Sequence, residues 1–173
     1  MVKEIAAMLG RAGALIRGDF TLASGKKSDY YIDVKSVLTD PGLLEYLARK
    51  IAGTSSFDVV AGVAVGAVPI AVAVSLVSGK PFAIIRSSGK DHGKENMIIG
   101  DVEGKDVLLV EDVVTSGGSV LFGIEQLRAG GAHADTVVTI VDRHAGGEAA
   151  LRERGVSLIA LTSVVEILED SRI

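Results

Sequence analysis

The sequence predicts an α/β fold, a central and mostly parallel sheet flanked by helices. Five short, largely apolar runs (Asp58 to Val63, Phe82 to Arg86, Val107 to Val110, Thr136 to Val141 and Val156 to Leu161) alternate with segments of helical spacing. Strands separated by helices pair in parallel, with both faces of the sheet covered. The composition agrees. Hydrophobic residues make up 48% of the 173 residues but aromatics only 4%, so the core must be built from Val, Ile, Leu and Ala. No internal repeat or linker interrupts the chain, and its length suits one domain spanning residues 1–173.

Taken in order, residues 2–16 place Ile5, Met8, Leu9, Ala12, Leu15 and Ile16 on one helical stripe. Residues 19–38 change texture. Phe20 and Leu22 alternate, as do Tyr30, Ile32 and Val34, which reads as two short strands around Ser24-Gly25. Asp40-Pro41 caps a helix running to about Ala52 with Leu43, Leu44 and Leu47 inward. Val59 to Val77 is 19 residues without a charge, long enough for a membrane span. Gly62, Gly66 and Pro69 break it into a strand, a glycine-containing loop and a buried helix from about Pro69 to Leu76. The strand at Phe82 runs into a polar loop, residues 87–96, that holds no apolar anchor and is expected to be mobile. Met97 to Ile99 and the turn from Asp101 to Lys105 lead back to the sheet. A helix at 118–129 stops at Gly130-Gly131. The strand from Thr136 ends in Asp142-Arg143-His144. A helix from Gly147 to Arg154, a strand from Val156 and a helix from Val164 to Glu169 complete the chain.

The stretch richest in chemistry is Val107 to Ser119. The strand Val107 to Val110 is expected to end at two adjacent carboxylates, Glu111 and Asp112. After Val113 and Val114 comes Thr115-Ser116-Gly117-Gly118-Ser119 at the start of a helix. Small residues there leave backbone N–H groups uncovered, which suits a phosphate dianion. The carboxylates can accept hydrogen bonds from sugar hydroxyls. Phosphate at one end and a diol at the other outline a ribose 5-phosphate site. Neither a Gly-Lys-Ser/Thr phosphate loop nor a G-x-G-x-x-G fingerprint is present.

The order of strand, Glu-Asp, two apolar residues and Thr-Ser-Gly-Gly-Ser resembles the phosphoribosyl diphosphate (PRPP) signature of type I phosphoribosyltransferases. Phe20-Thr21-Leu22-Ala23-Ser24-Gly25-Lys26-Lys27-Ser28-Asp29-Tyr30-Tyr31 resembles the more selective N-terminal motif of the orotate phosphoribosyltransferases. Arg86-Ser87-Ser88-Gly89-Lys90-Asp91-His92-Gly93 is similar to that family's catalytic loop, with Ser87 in place of a second basic residue. Asp142-Arg143 matches the pair after its late strand. The resemblance implies the type I phosphoribosyltransferase fold with a small N-terminal hood, mainly residues 18–38. It also implies transfer of a phosphoribosyl group from PRPP to orotate, giving orotidine 5′-monophosphate and diphosphate in pyrimidine (UMP) synthesis. PRPP would be held by Arg86, Lys90, His92, Glu111, Asp112, Val113, Val114, Thr115, Ser116, Gly117, Gly118 and Ser119. Orotate would meet Lys26, Tyr30, Tyr31, Thr115 and Arg143. Lys90, His92 and Asp112 would carry the catalytic roles, and Mg²⁺ would arrive on PRPP with no direct protein ligand. A homodimer is implied, one subunit's loop closing over its neighbour's site. Two departures concern PRPP: many relatives have Lys at the position of Ala23 and Tyr-Lys-Gly at Val65-Gly66-Ala67. The backbone N–H groups of Val65 to Val68 are expected to substitute for that grip.

A formal net charge of −4 argues against a nucleic-acid surface. The chain has no Cys, hence no disulfide, thiol nucleophile or thiolate metal site. Asp91-His92, His133 and His144 are too few and scattered for a metal centre. The N-terminal residues lack the apolar core of a secretory signal, so the cytoplasm is the expected compartment. Two alternatives share the PRPP signature: a phosphoribosyltransferase for another base, and a non-catalytic PRPP-sensing regulator.

Overall fold

Along the buried strands successive side chains leave on opposite faces, and each face has its own helices. Val60, Leu108, Val110, Val138 and Ile140 pack into one apolar cluster, while Ala61, Val63, Leu109 and Val137 pack into another. The computed structural model behind this description covers residues 2–21, 25, 27–87 and 97–171. Its main sheet has six strands: β3 (Val59–Val63), β4 (Phe82–Ile85), β5 (Ile98–Ile99), β6 (Asp106–Val114), β7 (His133–Asp142) and β8 (Ser157–Ser163). Their order is β5-β4-β3-β6-β7-β8. All neighbours are parallel except β4 and β5. The carboxyl ends of β4, β3, β6 and β7 therefore lie side by side on one edge, where an open α/β sheet binds its ligands.

Helices α1 (Val2–Arg11), α3 (Pro41–Ala52), α4 (Val68–Ser78) and α7 (Val164–Asp170) cover the first face, through Ile5, Leu9, Leu47, Ile51, Ile70 and Ile167. Helices α5 (Gly118–Ala129) and α6 (Gly147–Arg152) cover the second, through Val120, Ile124, Leu127 and Leu151. α5 lies close to the sheet because Gly123 has no side chain: a Cβ there would sit 2.9 Å from Val63 Cγ2. No described helix is long and apolar enough to cross a membrane, and the uncharged run from Val59 divides into β3, a loop and α4 as its glycines require.

A separate two-stranded antiparallel sheet joins β1 (Leu15–Thr21) to β2 (Lys27–Ile32), pairing Leu15 with Ile32 and Thr21 with Lys27. This hairpin lies in the stretch expected to form a hood, mainly residues 18–38, and it begins earlier, at Leu15. Leu15 and Ile16 continue the helical stripe in sequence yet belong to β1. Gly13 takes a left-handed φ of 89° and the Ala14 N–H closes back on the Leu9 carbonyl, which ends α1. Val34 likewise leaves its predicted strand for a four-residue helix, α2 (Val34–Val37). Asp33 starts that turn by accepting from the Ser36 N–H at 3.1 Å. Both exceptions arise where a local cap overrides side-chain periodicity.

Candidate functional site at the carboxyl ends of β3, β6 and β7

β6 runs four residues beyond the expected Val110, because β7 continues beside it: Glu111 pairs with Thr139 and Val114 with Asp142. The acidic pair thus sits inside the strand, where both residues are buried. Alternation sends their side chains to opposite faces. Glu111 Oε1 accepts from the Asp112 N–H at 3.1 Å, and its Oε2 accepts from Ser119 Oγ at 3.1 Å. Burial, and then the neighbouring Asp112 carboxylate, raise the Glu111 carboxyl to about 8. Near neutrality it is predominantly protonated and adds little negative charge to the pocket. Asp112 takes the other side, with Lys35 Nζ of α2 at 3.7 Å from its Oδ2.

Beyond Val114 the chain turns through Thr115, Ser116 and Gly117 into α5. The turn is stitched to the loop after β7. The Arg143 N–H donates to the Val114 carbonyl and the Gly147 N–H to the Thr115 carbonyl, each at 2.9 Å. Two glycines permit this approach. Gly117 adopts φ 85°, and a Cβ on Gly147 would lie 2.6 Å from the Thr115 carbonyl oxygen and also collide with Val114. No side chain caps the start of α5. Thr115, Ser116, Gly118 and Ser119 are exposed there, so the N–H groups of the first turn can receive an anion. With its hydroxyl donated to Glu111, Ser119 offers that anion its amide.

On the β7 side, Asp142 is buried at the end of the strand. It accepts from the His144 N–H at 2.9 Å and pairs with His144 Nδ1 at 3.0 Å. This fixes the bend that carries Arg143. The Arg143 guanidinium lies 5.8 Å from the Tyr30 ring centroid. Tyr30 packs against the core, whereas Tyr31 is exposed and stacks at 5.7 Å on Phe20. Tyr31, Lys35, Asp112, Val113, Thr115 and Arg143 line one recess of about 160 Å³. The β1–β2 hairpin, Asp112, the turn after β6 and the late arginine, far apart in sequence, thus meet. A larger open groove of about 730 Å³ between α1, α2 and α3 is lined by none of the strand-end loops.

Arg86 follows β4, its N–H bonded to the Met97 carbonyl at 2.9 Å. Lys26, Lys90 and His92 lie outside the described residues, as do Ala23 and the rest of 88–96. The loop after β3 departs from expectation. The Ala67 N–H donates to Val63 and the Val68 N–H to Val65, so of the four amides expected to replace the missing lysine only those of Val65 and Gly66 remain as candidates. Lys35, absent from the residues expected at the site, also lines the recess. Its signal was a cation just past the tyrosine motif, and only the fold shows that it reaches Asp112.

The phosphoribosyl transferase domain pattern matches residues 34–163, from α2 to the end of β8. The orotate phosphoribosyltransferase of Methanoculleus marisnigri is 60% identical over 169 residues, covering 98% of this chain and 99% of that one. The chain belongs to the orotate phosphoribosyltransferase family. The enzyme of that name from Methanocorpusculum labreanum is 52% identical, with coverage of 97% and 99%. The crystal structure of the orotate phosphoribosyltransferase of Aeropyrum pernix superposes with a TM-score of 0.86 at 33% identity, covering 97% of this chain and 98% of that one. The domain pattern begins after the β1–β2 hairpin, but these relatives match across nearly the whole chain, which places the N-terminal motif within the family likeness as well.

Proposed function

We propose that this chain joins orotate to PRPP, giving orotidine 5′-monophosphate and diphosphate, a step in making UMP. The carrying observation is the recess in which Tyr31, Asp112, Thr115 and Arg143 meet beside the uncapped start of α5. In this reading the α5 turn, Thr115 to Ser119, takes the 5′-phosphate, and Asp112 with Glu111 takes the ribose hydroxyls. Arg143 meets the anionic base, its planar fork suited to carboxylate and carbonyl oxygens, and Tyr31 covers the ring. The orotate ring nitrogen, already acidic, attacks the anomeric carbon as the carbon–oxygen bond to diphosphate breaks. Positive charge builds on the ribose and negative charge on the leaving group. Asp112 offers the nearby negative charge; Arg86, and by resemblance Lys90 and His92, balance the diphosphate. No group of three His, Asp or Glu side chains able to hold a metal gathers among the described residues. Mg²⁺ would ride on PRPP oxygens and supply charge neutralisation there. The reading extends to a homodimer working in the cytoplasm.

PRPP-dependent loss of orotate absorbance with the purified chain tests the function. Uracil and purine bases assayed alongside test the other-base alternative. A nucleic-acid binding measurement with and without PRPP tests the regulator. Transfer confined to another base, or PRPP binding without any transfer, would replace this proposal.

A further inference from the structure

Gly66 marks a place that another residue has filled. A Cβ built there would lie 2.6 Å from Lys35 Cε, 3.4 Å from Lys35 Nζ and 3.4 Å from Asp112 Oδ1. The volume that a side chain at position 66 would enter is occupied by the Lys35 stem, arriving from α2. Its ammonium ends 3.7 Å from Asp112 Oδ2. The sheet order gives this spot a meaning. β6 carries Asp112, with β3 and then β4 on one side and β7 on the other. Arg143, the partner proposed for the base, follows β7. Gly66 and Arg86 follow β3 and β4, on the side left for the leaving group. Lys35 reaches that side, where two of the four loop amides are already bonded internally. A diphosphate beside Asp112 meets a carboxylate, and the Lys35 ammonium stands next to that carboxylate to offset it.

The tie between Lys35 and Asp112 is weak enough to be exchanged. The Lys35 side chain is 67% exposed, and an ion pair so open to water holds little energy. An incoming diphosphate, more highly charged and rich in acceptors, competes well for the ammonium. We propose that Lys35 is a diphosphate-binding residue of this enzyme, supplying from α2 the cation that position 66 lacks. The proposal rests on the reading of the chain as a PRPP-dependent transferase and adds a residue to that site.

The test compares ligands with and without the diphosphate. In Lys35→Met, PRPP affinity measured by calorimetry should fall roughly ten- to a hundredfold, the loss of one charge-assisted contact. Affinity for ribose 5-phosphate and for orotidine 5′-monophosphate, which carry no diphosphate, should stay within about twofold of wild type by the same reasoning. Lys35→Arg should keep most of the PRPP affinity. The exchange Lys35→Gly with Gly66→Lys, which removes the obstructing stem and returns a cation from the other side, should recover it. Equal weakening of all three ligands would overturn the proposal and make Lys35 a support for Asp112. Selective loss of the monophosphate product would place Lys35 on the base instead. A wild-type chain that transfers no phosphoribosyl group would remove the functional reading itself, an outcome seen before any variant is made.

Discussion

Glu111 stands in a setting that an ordinary carboxylate avoids, buried beside a second acid and bonded to Ser119. In the unfolded chain it titrates near 4.5, and in the folded chain near 8, chiefly because burial penalises its charge. Between those values the folded state holds a proton that the unfolded state has released. The stability tied to Glu111 is therefore complete below pH 4.5 and is lost as pH rises through 8. The thermal midpoint of wild type should fall between pH 6 and pH 9 by more than that of Glu111→Gln, which carries no charge at either pH. Equal slopes in the two proteins would mean that Glu111 ionises normally. Arg143 makes a different demand. Its guanidinium rests over Tyr30, and in the proposed site Arg143→Ala would leave an anionic base without its planar partner. A charged hydrogen bond is worth about 1.5–3 kcal/mol, so the KM for orotate should rise at least tenfold while that for PRPP stays near normal. If PRPP is the substrate that weakens, Arg143 belongs to the phosphate side.

The β6–α5 turn depends on a neighbour that contributes no side chain. Gly147 starts α6, yet its missing Cβ is what lets the Thr115 carbonyl approach and accept its N–H. Gly147→Ala must push the turn away, since backbone on both sides cannot yield like a flexible side chain. Affinity for PRPP and for ribose 5-phosphate should fall together by about tenfold, roughly 1.4 kcal/mol, with orotate binding less affected; unchanged phosphate binding would show that the turn tolerates the shift. Nothing in the sequence pointed to Gly147, because a close backbone approach is made by two distant segments. The same limit explains the other differences. Runs such as Val107 to Val110 were legible as buried strands since an unbroken apolar stretch has no solvent face. Glu111 and Asp112 looked like the end of that strand because carboxylates are seldom buried. Pairing with β7, where Glu111 meets Thr139 from far along the chain, carried the strand through them. Leu15, Ile16 and Val34 fitted their periodic patterns well, and a left-handed glycine and an Asp33 cap decided otherwise. Thr115 to Ser119, Tyr31 and Arg143, which sit in local motifs, could be named in advance as candidates. Lys35 could not, for its role exists only where α2 crosses the sheet edge.

At the scale of the whole molecule, the described residues assemble one recess from β2, α2, the end of β6 and the residue after β7, but the family likeness assigns a further share of the chemistry to Lys90, outside the described residues. If the proposed homodimer supplies that lysine from the neighbouring subunit, each site needs two chains. The two halves of the site can then be damaged separately. Asp112→Asn removes the charge proposed to face the ribose while keeping the shape of a buried position. Lys90→Ala removes a cation proposed to balance the leaving diphosphate, so it should lower turnover far more than it weakens PRPP binding. Each variant alone should be nearly inactive. When they are mixed under conditions that exchange subunits, half of the dimers contain one of each. Every mixed dimer then has one site with both Asp112 and the neighbour's Lys90 intact, so activity should return toward about one quarter of wild type. The mixture must be checked for exchange, for instance by differently tagged subunits that co-purify. With exchange established and no activity returning, Lys90 serves its own subunit and the shared-site dimer fails, while the function of the chain stands.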